Sequence, residues 1–397
     1  MQKSIHLNAS KLVEAYFYKK NQVLFLLFFI FLFSSCQKDD HPKPGNCDAF
    51  KEADKGKDKD PTVSVFATGF NNPRGLKFGP DCHLYVAEAG LGGTNNTSDL
   101  CPEIQPGAVA GGPFLGSPTG GRISKVNATG VRTTVTDNLP TTISSVDGSI
   151  IGVADVAFIG NTLYALLWAG CSHGVPEFPN GIVRINSDGS HTDIADIGAW
   201  QVDHPVVNRG ADFEPEGNPY SFITVDKDFY VIEANQGQLL KATTSGTVTR
   251  VVDISASQGH AVPTVVDYHH GNFYVGNLGP FPIVDGSSNI YKITPDGQIT
   301  IAATGFTAIL GLVFDKKGRM YVLETTTENE FPTPGTGRII RVNQNGSKDI
   351  IATGLSNPTA MTYGPDDNLY VSNWGFGAAE GGGEVLKVRL KDKKNDH

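Results

Sequence analysis

The stretch "GPDCHLYVAEAG", residues 79–90, returns near the other end of the chain as "GPDDNLYVSNWG", residues 364–375. Two copies so far apart are either a chemical motif used twice or one unit of a repeat. The pair formed by a Leu, Phe or Met and the Tyr after it decides between these. It occurs at Leu84-Tyr85, Leu163-Tyr164, Phe229-Tyr230, Phe273-Tyr274, Met320-Tyr321 and Leu369-Tyr370. The tyrosines fall 79, 66, 44, 47 and 49 residues apart. A period of about 40–50 residues with several short strands per unit marks a β-propeller.

Each unit has the parts of a four-stranded blade. A short apolar strand precedes each pair, as in "GLKF", "ADVAF" or "GLVF", and a polar turn such as "GPD" or "DKKG" joins the two. A third strand follows ("GRISKV", "QLLKAT", "GRIIRV"), then a Thr/Val/Ile-rich fourth. The inner strands are apolar without alternation, as expected for sheets covered on both faces. The ends of the repeat fit together. "TVSVFATGF", residues 62–70, is a fourth strand with no blade before it, and "GEVLKVRL", residues 383–390, is a third strand with no fourth after it. The expected fold is all-β: a six-bladed propeller over 61–391, its last blade closed by the N-terminal strand, with a short tail at 392–397. A seventh blade would have to hide in the Gly/Pro-rich insertion at 91–120.

The 397 residues carry 46 Gly, 18% charged residues and a net charge of -9. That balance excludes a nucleic-acid binder, which needs a basic stripe. No P-loop, dinucleotide fingerprint or HExxH motif is present.

The first 36 residues are a different kind of text. Lys19-Lys20 precede an apolar run from Val23 to Phe33, then Ser34-Ser35-Cys36. The run is shorter than the ~20 residues of a membrane-spanning helix and reads as an export signal. Cys36 after small residues resembles a bacterial lipobox, with Phe33 bulkier than usual; the plainer alternative is an ordinary signal peptide with an incidental Cys. "QKDD" after it resembles the surface-export tag of Bacteroidetes lipoproteins. The expectation is a signal peptide at 1–35, a lipidated Cys36 holding the protein to a membrane, and a charged flexible tether over 36–60. This implies an exported, outer-membrane, surface-exposed monomer.

Four cysteines remain, with three possible pairings. Cys101 and Cys171 both follow second strands of adjacent blades, on one face. Cys82 lies in a turn on the other face, where the closing strand after Cys47 also starts. This favours Cys101–Cys171 and Cys47–Cys82, with the reduced state as the alternative.

Two rings of positions face the mouth where propellers bind ligands. The starts of the innermost strands carry Arg74, Ala154, Tyr220, Thr264, Leu310 and Thr359, with Asp155 one step on. An Arg74–Asp155 contact there reads as structural or ligand-anchoring. The ends of the second strands carry a polar rim of Glu88, Glu233, Asn277, Glu324 and Asn373, with Leu167 in blade 2. Buried acceptors for backbone N–H groups of turns are the plainest role for that rim. Ser172-His173 and His269-His270 read as surface residues. The insertions at 91–120, 171–180 and 278–288 decorate the mouth, so a small molecule, glycan or protein is expected there. Arg74, Asp155, Tyr220 and Thr264 would line it, and Trp168 and Trp374 would stack on the ligand.

The "P-x-G-L…G-x-L-Y-V" cadence resembles the gluconolactonase-like lactonases. That resemblance implies a divalent cation held by Glu, Asn and Asp at axial positions. Here the axis offers one carboxylate, so no cofactor is expected; Glu214, Glu216 and Asn218 in "DFEPEGNPY" are weak candidates for Ca²⁺. Over residues 62–390 the order of "NNPRGLKFGPDCHLYVAEAG", "GNPYSFITV", "AVPTVVDYHHGNFYVGNLGPFPIVDGSSNIYKITPDG" and "TGFTAILGLVFDKKGRMYVLE" is similar to the ScyD/ScyE family of NHL-like six-bladed propellers. This resemblance implies the fold and carries over no catalytic residues. A binding or interaction module is the expected function, with a lactone or ester hydrolase as the alternative.

Overall fold

The computed structural model describes residues 47–54 and 62–390. The signal segment at 1–35, Cys36 and the tail at 392–397 lie outside the described residues.

Six antiparallel sheets form the six blades. In chain order the strands run from inside to outside. Blade 1 is Pro73–Phe78, Leu84–Glu88, Phe114–Val126 and Arg132–Ser144. Blade 2 is Val153–Ile159, Thr162–Leu167, Gly181–Ile185 and His191–Asp196. Blade 3 is Pro219–Val225, Asp228–Glu233, Gln238–Thr243 and Val248–Asp253. Blade 4 is Pro263–His269, Asn272–Asn277, Ser288–Ile293 and Ile299–Phe306. Blade 5 is Ile309–Phe314, Met320–Glu324, Gly337–Val342 and Lys348–Leu355. Blade 6 is Ala360–Tyr363, Leu369–Asn373 and Gly383–Val388, completed by Val63–Phe70 from the other end of the sequence. That closing strand pairs Val63 with Val388 and Val65 with Leu386. It removes the open edge a linear stack of sheets would leave.

The 91–120 insertion contributes no seventh blade. Asn95–Asn96 pairs with a third strand that starts seven residues earlier than "GRISKV" suggests, at Phe114. The third and fourth strands of blade 1 therefore form a long hairpin, paired from Val126–Arg132 to Phe114–Ser144. It extends toward the face that carries the connections after second and fourth strands, here called the mouth face.

The repeated letters act together. In every blade the anchor tyrosine lies opposite a Lys or Arg on the third strand: Tyr85 on Lys125, Tyr164 on Arg184 and Tyr230 on Lys241, then Tyr274 on Lys292, Tyr321 on Arg341 and Tyr370 on Lys387. Where the turn reads "GPD", the tyrosine also reaches back to it. Tyr85 donates to Asp81 at 3.0 Å and Tyr370 to Asp366 at 2.9 Å. The glycine makes room for the ring: a Cβ on Gly79 or Gly364 would stand 2.6 or 2.5 Å from the Tyr Cε2. Blade 5 varies the device, with Asp315 in place of the glycine and 3.4 Å from the Tyr321 hydroxyl.

Residues 47–54, read from composition as part of a flexible tether, instead carry a short helix, Asp48–Asp54. Cys47 is bonded to Cys82 in the first "GPD" turn. Phe50 is buried edge-on against Phe78 and Tyr370, with ring centroids 5.1 and 6.1 Å away. One aromatic and one disulfide thus offset the polar composition, and they do so at the seam between the last and first blades.

The same turn has different weight at its two ends. Asp366 and Lys387 are both buried and lie 2.6 Å apart. Asp81 and Lys125 are 3.6 Å apart, and both are partly exposed. Asp366→Ala is expected to lower the unfolding free energy by about 3 kcal/mol, because it strands a buried ammonium. Asp81→Ala should cost under about 1 kcal/mol. Urea denaturation of the two variants checks the ordering.

Candidate functional site

The axis of the mouth is built from three blades. Arg74 opens the innermost strand of blade 1, and its guanidinium donates to the Ile150 carbonyl in the link to blade 2. The Tyr220 side chain of blade 3 lies beside it. Burial lowers the Arg74 guanidinium from its ordinary value and raises the Tyr220 hydroxyl. Asp155 takes a different course from the one expected. Its carboxylate accepts from its own Val156 N–H at 2.8 Å and from Phe222 N–H of blade 3 at 3.1 Å. It lies so close over blade 1 that a Cβ on Gly75 would sit 1.9 Å from Oδ1. Arg74 and Asp155 make no ion pair, so among the described residues the axial cation has no carboxylate partner. Burial pushes Asp155 up to about 7.

Thr264 does not line the mouth. It is buried, and its hydroxyl donates to the Ile309 carbonyl of blade 5. Thr359 donates likewise to the Pro73 carbonyl of blade 1 at 2.6 Å. Both stitch an inner strand to its neighbour. Trp168 and Trp374 are half-buried beside the mouth.

Ser172 and His173 depart most from the sequence reading. Both are buried rather than at the surface. The cause is the Cys101–Cys171 disulfide, which draws the turn Cys171–His173 beneath the blade 1 insertion. Thr97 reinforces it by donating to the Cys171 carbonyl. The Cys immediately before Ser172-His173 is the signal in the sequence for this burial.

The partners of His173 place a hydrogen on Nδ1. Nδ1 lies 2.8 Å from the Ala169 carbonyl, which only accepts, so Nδ1 carries the hydrogen. Nε2 accepts from the Trp168 indole N–H at 2.6 Å. Ser172 Oγ donates to Glu216. The serine proton therefore points at a carboxylate, and no imidazole lone pair faces the oxygen. A Ser172–His173 nucleophile and base pair does not follow from this arrangement.

The weak metal candidates join the same cluster. Glu214 lies 3.1 Å from His173 Nε2 and accepts from Asn218 Nδ2 at 2.9 Å. Glu216 also accepts from Ser172 N–H at 2.9 Å. Asn218 and Ser172 already donate to one oxygen of each carboxylate. Among the described residues no three His, Cys, Asp or Glu side chains are grouped to hold a metal ion. At the axis, a guanidinium and one carboxylate bound to backbone N–H groups are the wrong donor set for Ca²⁺. Asn218 Oδ1 and the whole side-chain amide of Gln201 are buried without a partner. Such groups call for a polar guest or ordered water.

The rim residues are all buried, and each ties down the link that enters its blade. Glu88 accepts from Asn71 N–H at 2.8 Å, Glu324 from Thr307 N–H at 2.8 Å and Asn373 from Ser356 N–H at 2.8 Å. Asn277 donates to the Ala261 carbonyl at 2.9 Å. Glu233 holds three N–H groups, of Asn218, Asn235 and Gln236, at 2.7–2.9 Å, and burial pushes it to about 7. Arg122 and Arg338 neutralise Glu88 and Glu324. On the opposite face His269 stacks on Phe314 at 4.2 Å.

No protein-family model matches the chain. A gluconolactonase of Zymomonas mobilis is 27% identical over 133 residues, covering 25% of this chain and 37% of that protein. The chain thus spans little more than a third of the curated relative it matches. A protein of unknown function from Bacteroides thetaiotaomicron superposes with a TM-score of 0.51 at 13% identity, over 82% of this chain and 74% of that one. A putative oxidoreductase (glucose dehydrogenase) from Thermus thermophilus also reaches 0.51, at 16% identity, over 82% and 98% of the two chains. At such identities the structural likeness speaks for the propeller fold alone.

The raised carboxyls set a pH dependence. Unfolded, Asp155 and Glu233 titrate near ~4. Folded, they keep their protons to about 7. The native state binds more protons in between, so stability is fullest below ~4 and falls as pH rises to about 7. Asp155→Asn should lose less between pH ~5 and ~8 than the parent does, read as the shift in urea midpoint. Parallel pH profiles for the two proteins would contradict the burial assigned to Asp155.

Proposed function

We propose that this chain is a cell-envelope lipoprotein whose ScyD/ScyE-type propeller binds a small, hydroxyl-rich acidic molecule at its mouth. The observation that carries this reading is Arg74, a guanidinium at the axis held by the Ile150 carbonyl, beside Tyr220, and paired with no carboxylate among the described residues. An oriented guanidinium of this kind suits a carboxylate or phosphate. Tyr220, with Trp168 at the edge, supplies hydrogen bonding and stacking for a hydroxylated ligand. The Cys36 lipobox and the "QKDD" tag support an exported, membrane-anchored protein at the outer surface.

A lactone or ester hydrolase is the second reading, favoured by the partial likeness to a gluconolactonase. The axial donors do not fit the divalent cation that reading implies, so no step is drawn through one. Stoichiometric calcium in the purified protein, with gluconolactone turnover that a chelator abolishes, would decide for the hydrolase.

Calorimetry with gluconate and glucose tests the binding reading. Gluconate should bind more tightly, and Arg74→Gln should weaken it by about tenfold or more while leaving glucose little changed. Equal affinities for the two, unaffected by Arg74→Gln, count against it. Cys36→Ser should move the full-length protein from the membrane to the soluble fraction on cell fractionation; retention in the membrane contradicts the anchor.

A further inference from the structure

Exposed apolar side chains are not spread evenly over this protein. Of the thirteen large ones among the described residues, nine sit on the connections of the mouth face. The other four lie on outer strands or in an outer turn. Leu100 and Val109 stand on the blade 1 insertion and Val207 on the link to blade 3, at 66%, 74% and 83% exposure. The strongest group is Phe281, Val284 and Phe331 on the loops of blades 4 and 5. Exposed phenylalanines at 52% and 59% are unusual outside interaction surfaces.

These two phenylalanines are held in place. Their rings stack at 5.6 Å with 6° between planes. Ile283 N–H donates to the Glu330 carbonyl at 2.8 Å, joining the loops. Asp285 Oδ1 accepts from the Thr307 hydroxyl at 2.6 Å and from Glu328 N–H at 3.3 Å. The platform is therefore built before any partner arrives, which lowers the entropy cost of binding.

Charge follows the same boundary. The mouth-face connections expose nine carboxylates and a single cation, Arg209, among the described residues. Asp99 and Glu103 flank Leu100 in sequence, and Asp285, Glu328 and Glu330 are exposed on the same two loops as the stacked rings. The turns of the opposite face mix in Lys227, Lys316 and Lys317.

We infer that the mouth-face rim, centred on Phe281 and Phe331, docks a polypeptide whose Lys or Arg residues are interleaved with apolar side chains. Apolar anchors ringed by one sign of charge select that partner chemistry and steer its approach. A second copy would set carboxylates against carboxylates. An anionic bilayer would be repelled too, and the Cys47–Cys82 disulfide lies on the opposite face, at the turn between the first two strands of blade 1. This rim is distinct from the axial Arg74 site and does not depend on it.

The test uses the full-length protein and a synthetic peptide of alternating Lys and Leu, with a Glu/Leu peptide and phosphatidylglycerol vesicles as controls. The Lys/Leu peptide should bind and weaken with added salt. Phe281→Ser with Phe331→Ser should weaken it by about tenfold or more. Asp285→Asn with Glu328→Gln and Glu330→Gln should flatten the salt dependence. Unchanged thermal melts exclude misfolding, and gluconate binding by the Phe variant should be unaltered, which separates this inference from the axial one. Equal binding of the Glu/Leu peptide, preference for vesicles, Phe-dependent dimers in sedimentation, or indifference to both variant sets would overturn it.

Discussion

A tyrosine on the second strand faces a lysine or arginine on the third, six times around the ring. That pairing fixes the register of the two strands whose side chains have least access to water. The "GPD" turn extends it where it occurs: the glycine yields space, the aspartate receives the hydroxyl, and the tyrosine ring fills the gap between blades. A slip of one residue would turn every anchor to the wrong face. The blades can then vary their upper loops freely, because register is set near the opposite face.

This division explains what the sequence disclosed. The six anchors and the strands and turns beside them are local and periodic, so the blades, their number and the closing strand can be read directly. Phe50 is invisible to that reading, since one aromatic in a charged segment carries no periodicity and its burial depends on Phe78 and Tyr370, far apart in sequence. His173 escapes it for a related reason. Its burial comes from a disulfide to residue 101 and from carboxylates some forty positions downstream. The axial residues are partly legible: Arg74 and Tyr220 do lie side by side, while Thr264 turns aside to donate to the Ile309 carbonyl of a neighbouring blade.

The mouth separates into two chemistries. Its inner wall uses carboxylates for structure, with Asp155 and the rim glutamates absorbing backbone N–H groups that irregular links would leave unpaired. What this leaves at the axis is a cation. Its outer rim is the reverse, carboxylates and apolar groups in solution with almost no cations between them. The glutamate of one "GPD" repeat and the asparagine of the other belong to the inner wall, where either can hold a turn.

The bond between Cys47 and Cys82 has a mechanical consequence. A pull on the segment before residue 47 enters the molecule at the first turn of blade 1, through a covalent link. The strand Val63–Phe70 that closes the ring comes later in the chain than that link. Load taken by this link is carried across the body of a blade, and the junction where Val63–Phe70 pairs with Gly383–Val388, and where Phe70 and Ala67 pack with Tyr370 and Val385, is relieved of it.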